Sequence, residues 1–198
     1  KTFEEYEISA TWACVGALYV DNIDILTDEF KKISYQDKNL SPMRIVEMKN
    51  ELQLDIFNAK EIIDKIASSK NQEVATHTFT HLYCLEEGVK KEHIDLDIKL
   101  FKQNFPYQVS SIVFPRNQVD ANAINWYGGQ YSSYRGCYPH WAYQPNKNSS
   151  ASLLKRGFRL LDSYLPLTRL SVELDFSENN KGMVNIPGTR FLRANAPL

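Results

Sequence analysis

Two of the four histidines of the chain lie within one short segment, HTFTH, which runs from His77 to His81. If this segment forms a helical turn, residues four apart share one face, with their Cβ atoms roughly 5–6 Å apart. Both imidazoles could then bind one divalent ion, at about 2.0–2.1 Å if that ion is zinc. Histidines at this spacing also occur as core or surface residues hydrogen-bonded to backbone, and this alternative stays open. The preceding residues, Glu73–Thr76, predict a short strand that places His77 at a sheet edge.

Further polar and aromatic residues follow two later strands. Arg116, Asn117 and Gln118 lie in the segment VFPRNQ, directly after a predicted strand. Trp126 and Trp141 belong to an aromatic-rich stretch beyond it. Aromatic rings line carbohydrate sites, but they also fill cores, so both roles stay open for the two tryptophans.

Other residues have side chains of the kinds that bind metals, but we expect a simpler role for each. We expect loop or helix-cap positions for three aspartates, a partly buried helix position for one histidine, and core packing for one cysteine. These residues are Asp21, Asp55, Asp120, His93 and Cys84.

Short strands alternate with helices along the chain. Strands are predicted at Ser9–Gly16 (a buried one), Glu73–Thr76, Ser110–Phe114 and Tyr131–Arg135, helices around 56–67, 87–105, 120–126 and 152–161, and an irregular stretch at 17–54. This alternation indicates an α/β fold with a parallel sheet, either open or closed into a barrel. Because the carboxyl ends of parallel strands lie at one edge, HTFTH, PRNQ and RGCYPHW should converge there.

The composition bounds the classes of function. We expect a single domain over residues 1–198, with a formal net charge of -1 and no basic block of the kind that nucleic-acid-binding proteins carry. Three cysteines, an odd number without a Cys-x-x-Cys pair, favour a reducing compartment, so we expect the cytoplasm. No apolar run approaches the ~18 residues of a membrane span. The oligomeric state is not indicated.

The order of these segments resembles that of the motifs in the polysaccharide deacetylase family. Members of this family are carbohydrate esterases similar to chitooligosaccharide deacetylase. HTFTH is similar to the family's second motif, H-[ST]-x-x-H, and SATWACVG to the strand before it. VFPRNQ resembles the arginine-bearing third motif of the branch that handles bacterial surface polysaccharides, although here Pro115 precedes the arginine. YRGCYPHW and IPGTRFLR are also similar to that branch, so the resemblance runs from about Ile8 to Arg193.

The resemblance implies a distorted (β/α) barrel, complete or incomplete, of the polysaccharide deacetylase type. It implies that His77 and His81 bind a divalent metal, with zinc the first expectation, and that Arg116 orients a catalytic aspartate. The substrate would be an acetylated carbohydrate, which Trp126 or Trp141 could contact. The predicted activity is the metal-dependent removal of N-acetyl groups from a polysaccharide or an acetamido-sugar precursor.

Two motifs of the family have no counterpart in this sequence. The first motif, T-F-D-D or a variant, supplies the base and a metal-binding aspartate, and the last supplies a general-acid histidine. We therefore expect a segment truncated at both ends that is inactive alone, within a parent enzyme. The alternatives are an inactive deacetylase-like domain that binds glycan or a protein partner, and another α/β hydrolase in which HTFTH is structural.

Overall fold

A parallel sheet organises the described part of the chain. The computed structural model describes residues 2–52, 58–144, 153–165, 167–168 and 182–188. Within these ranges five strands lie side by side in chain order, namely β1 (Ala10–Cys14), β2 (Gln72–Thr76), β3 (Ser111–Val113), β4 (Ser133–Arg135) and β5 (Val184–Asn185). The predicted α/β fold with a parallel sheet is confirmed.

Helices connect the strands, as parallel pairing requires. They are α1 (Thr2–Glu5), α2 (Thr27–Lys32), α3 (Met43–Leu52), α4 (Lys60–Ser68), α5 (Lys91–Asn104), α6 (Ala121–Tyr127) and α7 (Leu153–Tyr164). Short 3-10 turns occur at Gly16–Tyr19, Ile23–Leu26, Lys38–Leu40 and Pro115–Asn117. No helix in the described ranges has both the length and the apolar character that crossing a bilayer requires.

The strand register sorts the side chains onto two faces of the sheet. Thr76 pairs with Ile112, and Ile112 pairs with Tyr134, so these three point to the same side, where all are buried beneath helices. The opposite face carries polar side chains, among them Glu73 and Arg135, and it borders a cavity of about 270 Å³. We call it the open face of the sheet.

Helix α5 joins the two hydrophobic clusters beneath the sheet. Its buried residues Ile94, Ile98 and Phe101 recur at three- and four-residue intervals, which is the spacing of one helix face. Ile94 and Ile98 pack in the cluster around Ile112, and Phe101 packs with Phe79 in the other.

Two predictions about the first part of the chain are wrong. The stretch 17–54 contains α2 and α3, although it is predicted to be irregular. The strand predicted at Ser9–Gly16 forms as β1, but its central residues Thr11, Trp12 and Ala13 are exposed. Within the described part of the chain β1 is an edge strand, and Thr11 and Ala13 border the cavity of the open face.

Candidate functional site

The segment from His77 to His81 continues β2 as a loop, so the predicted helical turn is wrong. The N–H of His77 donates to the carbonyl of Cys14 at 2.8 Å, which extends the pairing of β1 with β2 by one residue. Thr78 and His81 then have positive φ angles of 64° and 57°. A positive φ is unusual for a β-branched threonine, and it persists only where neighbouring contacts impose it.

Asp97 of helix α5 provides those contacts. Its carboxylate, only 1% exposed, accepts hydrogen bonds from the N–H of Phe79 and the N–H of Thr80, both at 2.8 Å. It also accepts from the Thr80 hydroxyl at 2.6 Å. Burial raises the pKa of Asp97 while the three donors lower it, with burial the larger effect. The loop is therefore held to α5 by one buried side chain.

The loop also bonds to itself and to the end of β1. The Thr78 hydroxyl accepts from the N–H of Leu82 at 2.7 Å, and the Thr78 carbonyl accepts from the N–H of Gly16 at 3.1 Å. Phe79 and Leu82 are fully buried, one in each hydrophobic cluster. The backbone between the two histidines is thus anchored from both sides.

This loop brings the two imidazoles together. The ring centroids of His77 and His81 are 4.9 Å apart, and the ring planes are inclined by 58°. With Zn–N bonds of about 2.0–2.1 Å and a tetrahedral angle between them, two imidazole centroids would be separated by about 5 Å. The observed spacing is compatible with two ligands of one metal ion.

The hydrogen bond of His77 fixes which of its ring nitrogens is available. Nδ1 lies 2.6 Å from the carbonyl oxygen of Val113 on β3. A carbonyl oxygen only accepts, so Nδ1 must donate, and Nε2 is left with its lone pair. Metal-binding histidines commonly have their other ring nitrogen held in this way.

Both imidazoles are held in the neutral form. Burial lowers the pKa of His77, and the nearby Arg135 charge lowers it further, although the bond to Val113 opposes them. Burial, followed by the electrostatic influence of the neighbouring His77 and of the Arg116 charge, lowers the pKa of His81 to about 4. A neutral imidazole is the form that binds a metal.

Arg116 lies on the same side of the molecule as the histidines. Its guanidinium lies 4.5 Å from the ring centroid of Tyr83, and the Tyr83 ring contacts His81 with a centroid distance of 5.0 Å. Arg116 and Asn117 have positive φ angles of 53° and 52°, in the turn directly after β3. Within the described ranges Arg116 pairs with no carboxylate, and its side chain is exposed. The guanidinium is therefore available beside the imidazoles.

The residues that could supply a third metal ligand lie elsewhere. No group of three or more His, Cys, Asp or Glu side chains within the described ranges could hold a metal ion. Asp21 forms an ion pair with Lys60, and Asp120 caps α6 by accepting from the N–H of Ala123, whereas Asp55 lies outside the described residues.

The expected roles of His93 and Cys84 are confirmed. His93 is partly buried in the first turn of α5, where its ring accepts from the N–H of Lys90. Cys84 is buried in the cluster around Ile112.

The two tryptophans differ in their surroundings. Trp126 lies on α6 and packs, partly buried, against the cluster around Ile112. Trp141 is 48% exposed, and its ring contacts Phe158 of α7 at a centroid distance of 5.5 Å. Only Trp141 presents the open ring surface that stacking against a sugar requires.

Gln118 connects two loops. It is buried, its Oε1 accepts from the N–H of Leu85, and its Nε2 donates to Glu86. Its role is to fix the turn after β3 against the segment that follows the histidines.

Sequence reasoning missed three residues of the site, namely Asp97, Tyr83 and Arg135. A local signal existed for Asp97, because an acidic residue stands on the apolar face of α5 between Ile94 and Ile98. Arg135 could be placed beside His77 only once the strand register was known.

Comparison with models of known protein families, with curated proteins and with solved structures finds no match for this chain.

Proposed function

We propose that this chain supplies the histidine pair of a metal-dependent hydrolase that removes N-acetyl groups from a polysaccharide or an acetamido-sugar precursor, as polysaccharide deacetylases do. The observation that carries the proposal is the pairing of His77 with His81 at 4.9 Å, with Nε2 of His77 left free. Neutral imidazole suits zinc, copper and nickel among the divalent metals, and zinc is the metal we propose. When bound, zinc would act as a Lewis acid on the amide carbonyl and on a water molecule.

The fold we propose for the whole domain is a distorted (β/α) barrel. Five parallel strands that lie in chain order follow the winding of such a barrel, in which each strand is added beside the previous one. In barrels of this kind the catalytic groups come from the carboxyl ends of different strands. His77 follows β2 and Arg116 follows β3, which agrees with this arrangement.

The proposal gives each residue a defined task. Val113 holds His77 in the tautomer that exposes Nε2, and Asp97 holds the loop that positions His81. Arg116 is placed to orient a carboxylate beside the imidazoles. Catalytic zinc sites have three protein ligands, so the proposal requires a third ligand and an acid–base pair from outside the described residues.

The test is acetate release from N-acetylated oligosaccharides by the complete natural protein that carries this sequence, with added zinc or cobalt. The proposal predicts release that the variants His77→Ala and His81→Ala both abolish, while the matched control His93→Gln retains it. Release that persists in both variants, or no release by the wild-type protein, would contradict the proposal.

A second candidate is a deacetylase-like domain that binds glycan without hydrolysing it. The exposed Trp141 ring beside Phe158 favours this function, because it offers a stacking surface that needs no metal. Oligosaccharide binding that Trp141→Ala abolishes, in a protein that releases no acetate, would support the second candidate over the first.

A further inference from the structure

The open face of the sheet carries a row of side chains that begins at the histidine loop. Thr76 pairs with Ile112, so His77 lies beside Val113 in the next position, and Val113 pairs with Arg135 on β4. Because adjacent strands are about 4.8 Å apart, the backbones of His77 and Arg135 are separated by about 10 Å. A long arginine side chain spans much of that distance. The Arg135 charge lowers the pKa of His77, which agrees with this proximity.

A cavity of about 270 Å³ opens on this face beside Arg135. Its other polar walls include Glu73, Ser111 and Ser133. The Glu73 carboxylate is already engaged, since it accepts from the Thr11 hydroxyl at 2.7 Å and from the Ser111 hydroxyl at 2.5 Å. Arg135, by contrast, forms no hydrogen bond or ion pair with any described residue. The cavity therefore has one charged group that is not engaged, and this group is a cation.

The Arg135 guanidinium lies against the backbone of Gly188. A Cβ atom at this glycine would lie 2.8 Å from Nε and 2.9 Å from Nη2 of Arg135, so the guanidinium lies directly on the backbone. The N–H of Gly188 in turn donates to the carbonyl of Gly136 at 2.9 Å. Any side chain at position 188 would displace the guanidinium from this position.

We propose that Arg135 binds an anionic group, a carboxylate or a phosphate, carried by the acetamido sugar that this site accepts. The proposal rests on the proposed function and narrows its substrate to an acidic sugar. A guanidinium matches both anions because its planar N–H groups can donate two parallel hydrogen bonds. Arg116 adds a second positive charge at the same edge of the sheet, which increases the attraction for an anion.

The test is a binding titration of the 15N-labelled chain, followed by NMR in the presence of a chelator so that no metal takes part. The ligands are N-acetylglucosamine, N-acetylglucosamine 6-phosphate and N-acetylmuramic acid, with inorganic phosphate and acetate as ions alone. We expect at least one acidic sugar to bind about two- to fivefold more tightly than the neutral sugar, because Arg135 is exposed and solvent screens its charge. Comparison of the two acidic sugars distinguishes phosphate from carboxylate.

Variants then assign the effect to Arg135. Arg135→Gln should make the acidic sugars bind as weakly as the neutral one, and Gly188→Ala should weaken them in the same direction. Arg44→Gln is the matched control, because Arg44 is an exposed arginine on α3 that contacts Glu47. It should leave the preference unchanged.

Four results would overturn the inference. They are equal binding of neutral and acidic sugars, no binding of any sugar, a preference that survives in Arg135→Gln, and binding of free phosphate or acetate as tight as that of the sugars. Acetate release is measured separately. Acetate release by a protein that binds neutral and acidic sugars equally would contradict only this inference. Preferential binding of acidic sugars by a protein that releases no acetate would contradict only the proposed function.

Discussion

Replacing the buried Asp97 by asparagine should loosen the histidine loop although Asp97 touches neither histidine. The wild-type carboxylate accepts three hydrogen bonds, from the N–H of Phe79 and from the N–H and hydroxyl of Thr80. An asparagine keeps one oxygen, which can accept the two bonds from Thr80. Its NH₂ group would then face the N–H of Phe79, so two donors meet in a site from which water is excluded.

The expected loss in the free energy of unfolding follows from these contacts. Losing one hydrogen bond to a charged group costs about 1.5–3 kcal/mol, and the unpaired N–H of Phe79 keeps the cost near the upper end. Relief from burying a charge offsets part of this, so we expect Asp97→Asn to lower the free energy of unfolding by about 2–3 kcal/mol. Asp97→Ala removes all three acceptor contacts and should cost about 3–5 kcal/mol.

Urea unfolding measures the effect, and zinc titration of the folded variant measures its consequence for the site. With a slope of about 2–3 kcal/mol per molar urea, the midpoint of Asp97→Asn should fall by roughly 1 M. Zinc affinity should fall as well, because Thr78 and His81 lose the support for their positive φ angles. Asp95→Asn is the control on the same helix, since Asp95 is exposed and pairs with Lys91 at 2.5 Å. Its cost should stay below about 0.5 kcal/mol.

An Asp97→Asn variant as stable as Asp95→Asn would contradict the role given to the Asp97 carboxylate. A destabilised Asp97→Asn variant that binds zinc as tightly as the wild type would contradict it as well, because the loop would then not depend on α5.

Three further predictions concern the same region. In the folded protein the pKa of His77 lies below the ordinary value of 6.5, and the pKa of His81 is lowered to about 4, so the unfolded chain binds more protons below pH 6.5; stability therefore falls as the pH falls below 6.5, and His81→Gln should flatten the fall in urea midpoints. A Cβ at Gly16 would lie 2.5 Å from the Phe79 ring, so Gly16→Ala should destabilise by about 1–3 kcal/mol in urea unfolding, and an unchanged midpoint would contradict this packing. Tyr83→Leu should cost about 0.5–1 kcal/mol through the lost contact with the Arg116 guanidinium, whereas Tyr83→Phe, measured in the same way, should cost less because it keeps the ring.

The strands and helices that alternate from β2 to α6 could be predicted because each is indicated by residues within the element itself. Strands β2 to β4 lie in short runs that contain β-branched or aromatic residues, α5 has apolar residues at helical spacing, and Asp120 marks the start of α6 as its cap. Helix α3 lies in the stretch predicted to be irregular, which contains the pair Ser41-Pro42 directly before the helix. The Ser41 hydroxyl in fact accepts from the N–H of Met43, so this pair starts the helix. Strand β5, with two residues, is too short to show any period.

The site was predicted only in part because its geometry depends on contacts distant in sequence. The spacing of His77 and His81 predicts that they meet, but a helical turn was the wrong reason. The loop conformation is imposed by Asp97, sixteen residues after His81; its place on the apolar face of α5 marks it as unusual, but that local pattern does not indicate which backbone groups it contacts. Likewise, the order of the strands predicts that Arg116 lies near the histidines. The contact of Arg116 with the Tyr83 ring could not be predicted in this way.

The central claim is that His77 and His81 bind one metal ion, and long-range 1H–15N NMR of the imidazoles tests it most directly. The four histidines of the chain provide their own controls, because His93 and His140 lie outside the pair. Without metal, His77 should show a protonated Nδ1 and an unprotonated Nε2. Addition of zinc should shift Nε2 of His77 and one ring nitrogen of His81 together, at one equivalent, and leave His93 and His140 unchanged. A His77 protonated on Nε2, or zinc-induced shifts that spare both histidines or affect all four alike, would contradict the claim.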